Sequence, residues 1–283
     1  MKILITGISG QVGHALMQQL SDYELIGLTR QDCDLTEPDQ IKQAIDQYQP
    51  DLIINPAAYT KVDQAEDEPE QAFKINCDAP IVMAKKAREY NIPFIHFSTD
   101  YVFDGSREGP YGENDSTHPL SVYGQSKLAG EKAIQEVGGQ IYIFRTSWVY
   151  SNVGNNFYLT IKKLCFEKDE LRIVSDQYGV PTSNFFIAYQ VKKLIPKLRI
   201  NNAGTYHLVP KDFCTWYDFA KTIIETINPK FDLNCLHAIQ TSDYSMKAPR
   251  PKNSRLLNEK IQKAFMLEFK PWQSELDRII DEA

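Results

Sequence analysis

Ile3-Leu4-Ile5-Thr6-Gly7-Ile8-Ser9-Gly10-Gln11-Val12-Gly13 opens the chain with an apolar run, three glycines spaced Gly-x-x-Gly-x-x-Gly, and at once a segment of helical period. A strand that turns sharply into a helix wrapped on an anion accounts for each glycine. Gly7 permits the tight turn, Gly10 lets the backbone approach a pyrophosphate, and Gly13 lets the helix pack closely on the strand. The amino terminus of that helix, with its unsatisfied N–H groups, then faces the phosphates. The spacing alone is a weak signal; its place at the start of a strand–helix–strand unit is what identifies a dinucleotide loop. Gln11 and Val12, inside the loop, are expected at the cofactor with the three glycines.

Outward from this loop, short runs rich in apolar residues recur at Lys2–Thr6, Glu24–Leu28, Asp51–Asn55, Pro93–Ser98, Ile141–Thr146 and Leu171–Ser175, separated by longer segments of helical period. Such alternation predicts an α/β protein with a Rossmann-type, doubly wound parallel sheet whose strand carboxyl ends line the active site. After about residue 175 the pattern breaks into Gly- and Pro-punctuated pieces. A short strand is expected at Gly204–Leu208, with helices near Phe185–Ile195 and Trp216–Ile227. Residues 1–150 are therefore read as mainly the nucleotide-binding domain, its sheet continuing to about 175. Residues 151–283 are read as mainly a smaller C-terminal substrate lobe, with segments of the two interleaved.

The 283 residues carry a formal charge of −6, which gives no general reason to bind nucleic acid. No apolar run approaches the roughly 20 residues needed to span a bilayer, and no secretory signal precedes Lys2, so a cytoplasmic location with no membrane association is the expectation. The five cysteines are scattered without a Cys-x-x-Cys pair and the five histidines without ligand spacing, so neither a disulfide framework nor a metal site is expected. Any acid catalysis must come from another residue type.

The glycine spacing resembles the extended short-chain dehydrogenase/reductase superfamily, whose signature is Tyr-x-x-x-Lys. That spacing occurs four times here, at Tyr123/Lys127, Tyr158/Lys162, Tyr189/Lys193 and Tyr217/Lys221, and it is also an ordinary way to dress a helix surface. Tyr123 is singled out because it opens a helix after the fourth strand, whose end supplies Ser98-Thr99-Asp100. The expected catalytic set is Thr99, Tyr123 and Lys127. Tyr123 would protonate the nascent alkoxide, and Thr99 would donate a hydrogen bond to it. Lys127 would bring the phenol from about 10 towards roughly 7, about 4 kcal/mol, and would hold the nicotinamide ribose as in the superfamily. At the end of the second strand Arg30 favours NADPH, while Asp32 keeps NADH use open. The resemblance implies that Asp34 and Leu35 contact the adenine and that Ala57, Ala58 and Tyr59 run beside the cofactor.

Ser98-Thr99-Asp100-Tyr101-Val102-Phe103-Asp104-Gly105 narrows the resemblance. The nucleotide-sugar dehydratases have Thr-Asp-Glu here, and Tyr101 stands in place of the glutamate. The string instead resembles the dTDP-4-dehydrorhamnose reductases, as do Asn55 to Glu66, Val122 to Glu131, Arg145 to Tyr150, Asp176 to Thr182 and Pro251 to Leu256. This resemblance implies a dTDP-linked 6-deoxy-4-keto sugar as substrate, bordered by Thr60, Val62, Thr99, Asp100, Tyr101 and Trp148, with Arg255 clamping its pyrophosphate. Trp148 as core and Arg255 as a surface ion pair stay open. Pro56 and Lys61 depart from the small residues usual in relatives. Ala15 replaces a glutamate that some relatives use in a magnesium-linked dimer, so a homodimer stays open and a metal-bridged one is set aside. Two other functions also stay open. One is a reductase or epimerase of another nucleotide-linked keto sugar. The other is a non-catalytic subunit related to the methionine adenosyltransferase regulatory protein.

Overall fold

In the computed structural model, which describes residues 1–281, the opening apolar run is strand β1 (Lys2–Thr6), followed by α1 (Gln11–Gln19), β2 (Glu24–Leu28), α2 (Pro38–Tyr48) and β3 (Leu52–Asn55). Short helices α3 (Val62–Ala65) and α4 (Pro69–Phe73) lead into α5 (Ala79–Glu89), β4 (Phe94–Thr99), α6 (Val122–Val137) and β5 (Ile141–Thr146). The second half supplies β6 (Val149–Tyr150), α7 (Phe157–Glu167), β7 (Leu171–Val174), β8 (Tyr178–Gly179), β9 (Thr182–Ser183) and α8 (Asn184–Leu194). It continues with β10 (Gly204–His207), β11 (Cys214–Thr215), α9 (Trp216–Ile227), β12 (Leu236–Ile239), α10 (Glu259–Phe265) and α11 (Trp272–Asp281).

Six parallel strands form one sheet in the order β10-β5-β4-β3-β1-β2. The order reverses between β1 and β3, so the crevice at their carboxyl ends is where a doubly wound sheet takes its ligand. Side chains alternate across the sheet as the pleat requires. Ile3, Ile5, Ile54, Phe97 and Phe144 pack under α1, α8 and α10, whereas Leu4, Ile53, Phe94 and Ile143 pack under α2, α5 and α6. Burial on both faces explains why these strands read as nearly continuous apolar runs.

The strand expected at Leu171–Ser175 does not extend this sheet. β7 pairs in parallel with β12 in the second lobe, and the sixth position is taken by β10 beside β5. The burial of the two strands shows the reason: in β7 Arg172 is exposed, Ile173 and Val174 are half-covered and only Leu171 is buried, while Thr205, Tyr206 and His207 of β10 are all buried. Only the latter suits a sheet covered by helices. The chain thus crosses between lobes more than once, and α8, from the second half, packs on α1 in the first layer. The second lobe has its own core of Tyr150, Tyr158, Ile161, Phe219, Ile223, Trp272 and Leu276. Among the described residues, no helix is long and apolar enough to cross a membrane.

Candidate active site

The glycine loop is as tight as its sequence implies. Gly7 has a φ of +58°, and a side chain there would meet Ala57 at 2.8 Å; at Gly13 a β-carbon would lie 2.3 Å from the Gly7 carbonyl oxygen. The end of β1 and the start of α1 are therefore pressed together and against the segment after β3. Gly10 caps α1 without a side-chain hydrogen bond, which leaves first-turn N–H groups for an anion.

From this loop a groove runs both ways. One arm, about 630 Å³, is lined by Gly7, Arg30, Asp34, Leu35, Ala57, Ala58, Tyr59 and Thr60. The other, about 410 Å³, is lined by Gly7, Gly10, Gln11, Val12, Gly13, Ala57, Ala58, Tyr123 and Lys127. The arms share Gly7, Ser9, Ala57, Ala58 and Thr60, so a long two-ended molecule bent over the glycine loop fits them. Arg30 is three-quarters exposed at the rim, with its guanidinium 3.6 Å from Asp34. Asp32 turns inward to its own loop, accepting from the Thr29 amide at 2.9 Å and hydroxyl at 2.6 Å. These bonds hold the Asp32 carboxyl below its ordinary range. The acid that kept NADH open is thus committed to the turn, and the cationic group is the one presented. Gln11 accepts from Ser151 at 2.8 Å and Asn156 at 2.9 Å, tying the loop to the second lobe.

Of the four Tyr-x-x-x-Lys pairs, tertiary structure separates one. Tyr158 lies in the core of the second lobe. Lys193 covers the Tyr189 ring at 4.3 Å on α8. Tyr217 donates to the Leu236 carbonyl, while Lys221 faces Glu225 at 3.9 Å. Only Tyr123 and Lys127 reach the groove. Their helix is started by Ser121, whose hydroxyl accepts from the Gly124 amide, and Gly124 lets α6 settle against the Tyr101 carbonyl, 2.3 Å from where a β-carbon would stand. Tyr123 is thereby brought edge-on to Tyr101, with ring centroids 5.8 Å apart, and within hydrogen-bonding range of Thr99.

The electrostatics differ from the sequence expectation. Burial pushes the Tyr123 phenol up to about 12, with the Thr99 hydrogen bond acting the other way and the Asp100 carboxylate adding to the rise. Lys127 does not bring it down: its Nζ donates 2.6 Å to the Phe97 carbonyl and lies 3.2 Å from His96 Nε2. Burial brings the Lys127 ammonium down to about 8 against the opposing pull of Glu131. In a dry site the loss of hydration outweighs one cation's attraction. Thr99 gives its one proton to Asp100 Oδ1 at 3.0 Å and receives the Tyr101 amide at 3.2 Å. Asp100 is itself buried beneath Thr99 and pushed up to about 6 by that burial.

The remaining site residues divide between rim and lobe. Trp148 sits in the left-handed region at φ +45°, uncommon for a bulky side chain, and stacks on Trp216 at 3.6 Å. Val62 starts α3. The neighbouring Asp63 accepts from the Ala248 amide and from Arg250, both at 2.9 Å, so a strap from the C-terminal half is tied over this edge. Arg255 lies away from both arms of the groove. Its Nε donates 2.7 Å to Asn253, its Nη2 bonds the Glu108 carbonyl, and its guanidinium lies over the Tyr178 and Phe213 rings. Sequence reasoning missed Gln64, Glu68, Gln71 and Ile75 along the first arm, Trp216, and the buried His96 and Asn55. The only advance signal for His96 was a polar residue inside an otherwise apolar strand.

The model of the RmlD substrate binding domain family matches residues 1–283. A dTDP-4-dehydrorhamnose reductase of Escherichia coli K12 is 42% identical over 100% of this chain and 98% of its own. The chain belongs to the dTDP-4-dehydrorhamnose reductase family. Among solved structures of the family, a Bacillus anthracis reductase in complex with NADP superposes with a TM-score of 0.94 at 33% identity, covering 100% of this chain and 99% of that one. A Clostridium acetobutylicum member gives 0.94 at 36% identity over the same shares.

Proposed function

We propose that this protein reduces the C4 keto group of dTDP-4-dehydro-L-rhamnose to dTDP-L-rhamnose with NADPH, in the cytoplasm. The observation that carries the proposal is the pair of half-buried Tyr123 and buried Lys127 opening on one end of a groove whose other end presents Arg30, in a chain of this family. The glycine loop and the uncapped start of α1 suit a pyrophosphate, and Arg30 suits an added ribose phosphate. Lys127 would hold the ribose next to the nicotinamide. NADPH, when bound, supplies the hydride.

The chain's own residues supply the proton and its control. Because burial holds the phenol near 12, Tyr123 stays protonated throughout the neutral range. That is the form needed in the direction of reduction, and an alkoxide is a far stronger base than a phenolate, so proton transfer from Tyr123 Oη runs downhill. Thr99 orients the phenol, and Lys127 provides a positive charge near the phenolate that remains. Tyr101 and the stacked Trp148/Trp216 pair exclude water from this end and offer an apolar wall to a sugar ring.

Nicotinamide absorbance followed with enzymatically prepared dTDP-4-keto-L-rhamnose tests this. Wild type is expected to turn over with NADPH and yield dTDP-L-rhamnose, and Tyr123→Phe to lose about 10²- to 10⁴-fold in turnover. Full activity in that variant, or no turnover by wild-type enzyme that binds NADPH, would overturn the assignment.

A further inference from the structure

Behind Lys127 lies a line of buried polar groups outside the catalytic set, of which only the far end, Thr6, touches the groove. Thr6 at the end of β1, Asn55 at the end of β3 and His96 within β4 are all essentially inaccessible. Thr6 Oγ1 lies 2.6 Å from Asn55 Oδ1, Asn55 Nδ2 lies 3.1 Å from His96 Nδ1, and His96 Nε2 lies 3.2 Å from Lys127 Nζ. Three adjacent strands thus each contribute one polar side chain to a file that ends on one ammonium. Packing needs no such file, because apolar side chains would fill the same volume without a desolvation penalty.

Proton counting gives the file a function. A neutral imidazole carries one N–H, and burial together with the neighbouring lysine holds His96 well below its ordinary range, so it is neutral. When Lys127 is charged, Nε2 must accept from it. Nδ1–H then donates to the Asn55 oxygen, and the Asn55 amide donates to Thr6. When Lys127 is an uncharged amine, Thr6 donates to Asn55, Asn55 to Nδ1, and Nε2–H to the lysine lone pair. Both arrangements leave every member paired, and they interconvert by turning one amide, rotating one hydroxyl and exchanging the imidazole tautomer. An amine thus still finds a partner, but the bond from the ammonium to Nε2 is charge-assisted and the stronger of the two, so the file favours the charged lysine. We propose that His96, backed by Asn55 and Thr6, is a positioning residue for the reaction, whose Nε2 holds the Lys127 ammonium charged and in place at the Tyr123 end of the groove.

The inference rests on the proposed role of Lys127. The other charged group that acts on that ammonium is Glu131 on the same helix, itself held by Arg145 of β5, while Asp100 after β4 acts on Tyr123. None of these is altered by changing His96. His96→Asn keeps a polar atom near Asn55 but removes the partner of Lys127; His96→Gln places an amide oxygen where Nε2 stood.

The test is the pH profile of kcat and of KM for the keto sugar, with melting temperature and NADPH affinity measured beside it. In His96→Asn the alkaline limb of kcat is expected to move down by roughly one to two pH units, the worth of a hydrogen bond to a charged group. KM should stay within about three-fold, and the limb should return in His96→Gln. Asn55→Ala, a break one bond further back, should shift the limb the same way by less. A His96→Asn profile that overlies wild type, or equal shifts in the Asn and Gln variants, would overturn the inference. An active Lys127→Met would instead remove the role of Lys127 on which it rests.

Discussion

Replacing Asp100 by asparagine should stabilise the protein at alkaline pH and lose that advantage in acid. Asp100 is fully enclosed, and desolvation holds it at about 6 against an ordinary 3.8. A folded-state value above the unfolded one means that the native protein binds more protons than the unfolded chain between those limits. Stability therefore falls as pH rises through that window and stays lower above it. The size is on the order of 3 kcal/mol, from about two pH units at about 1.36 kcal/mol each. With about 2.1 cal/mol/K of unfolding entropy per residue, 283 residues give about 0.6 kcal/mol per degree, so the full effect is about 5 °C. Asparagine still accepts from Thr99, but gives up the stronger bonds a carboxylate makes, which trims the gain to roughly 2–4 °C. Melting curves of Asp100→Asn and wild type at pH 8 and pH 4.5 are the assay. A difference that is the same at both pH values would refute the argument, because only the titrating carboxylate makes it depend on pH.

Gly13→Ala should abolish NADPH binding or prevent folding, since its β-carbon would stand 2.3 Å from the Gly7 carbonyl oxygen; cofactor titration of the purified variant is the check. Arg30→Ala should raise KM for NADPH by about ten-fold, on the scale of one charge-assisted hydrogen bond, and leave KM for NADH within about two-fold; parallel kinetics with the two cofactors decide it. Glu131→Gln breaks a buried pair in which Arg145 makes bonds of 2.6, 2.9 and 3.2 Å. A cost of about 3–5 kcal/mol should lower the melting temperature by roughly 5–8 °C.

Much of this molecule was legible in the residues themselves. The run from Ile3 to Gly13 determined that a strand turns into a helix around an anion, because only glycine fits where a β-carbon would strike backbone. The apolar runs determined a sheet covered on both faces, because period and composition respond to burial whatever the partner is. Tertiary structure decided what depends on which segments meet. Leu171–Val174 and Gly204–His207 are both short strand-like runs, and only their different covering shows which joins the main sheet. Four Tyr-x-x-x-Lys pairs are equivalent in sequence, and only the placement of α6 against Tyr101 and Thr99 brings one of them to the groove. The direction in which the phenol moves was likewise beyond the sequence, which shows that a lysine is four residues away but not that its ammonium is held by Phe97 and His96 in a site dry enough for desolvation to dominate. Local geometry follows from neighbouring residues, whereas dielectric environment and hydrogen-bond partners are set by groups far apart in the chain, as Asp63 and Arg250 are at 187 positions.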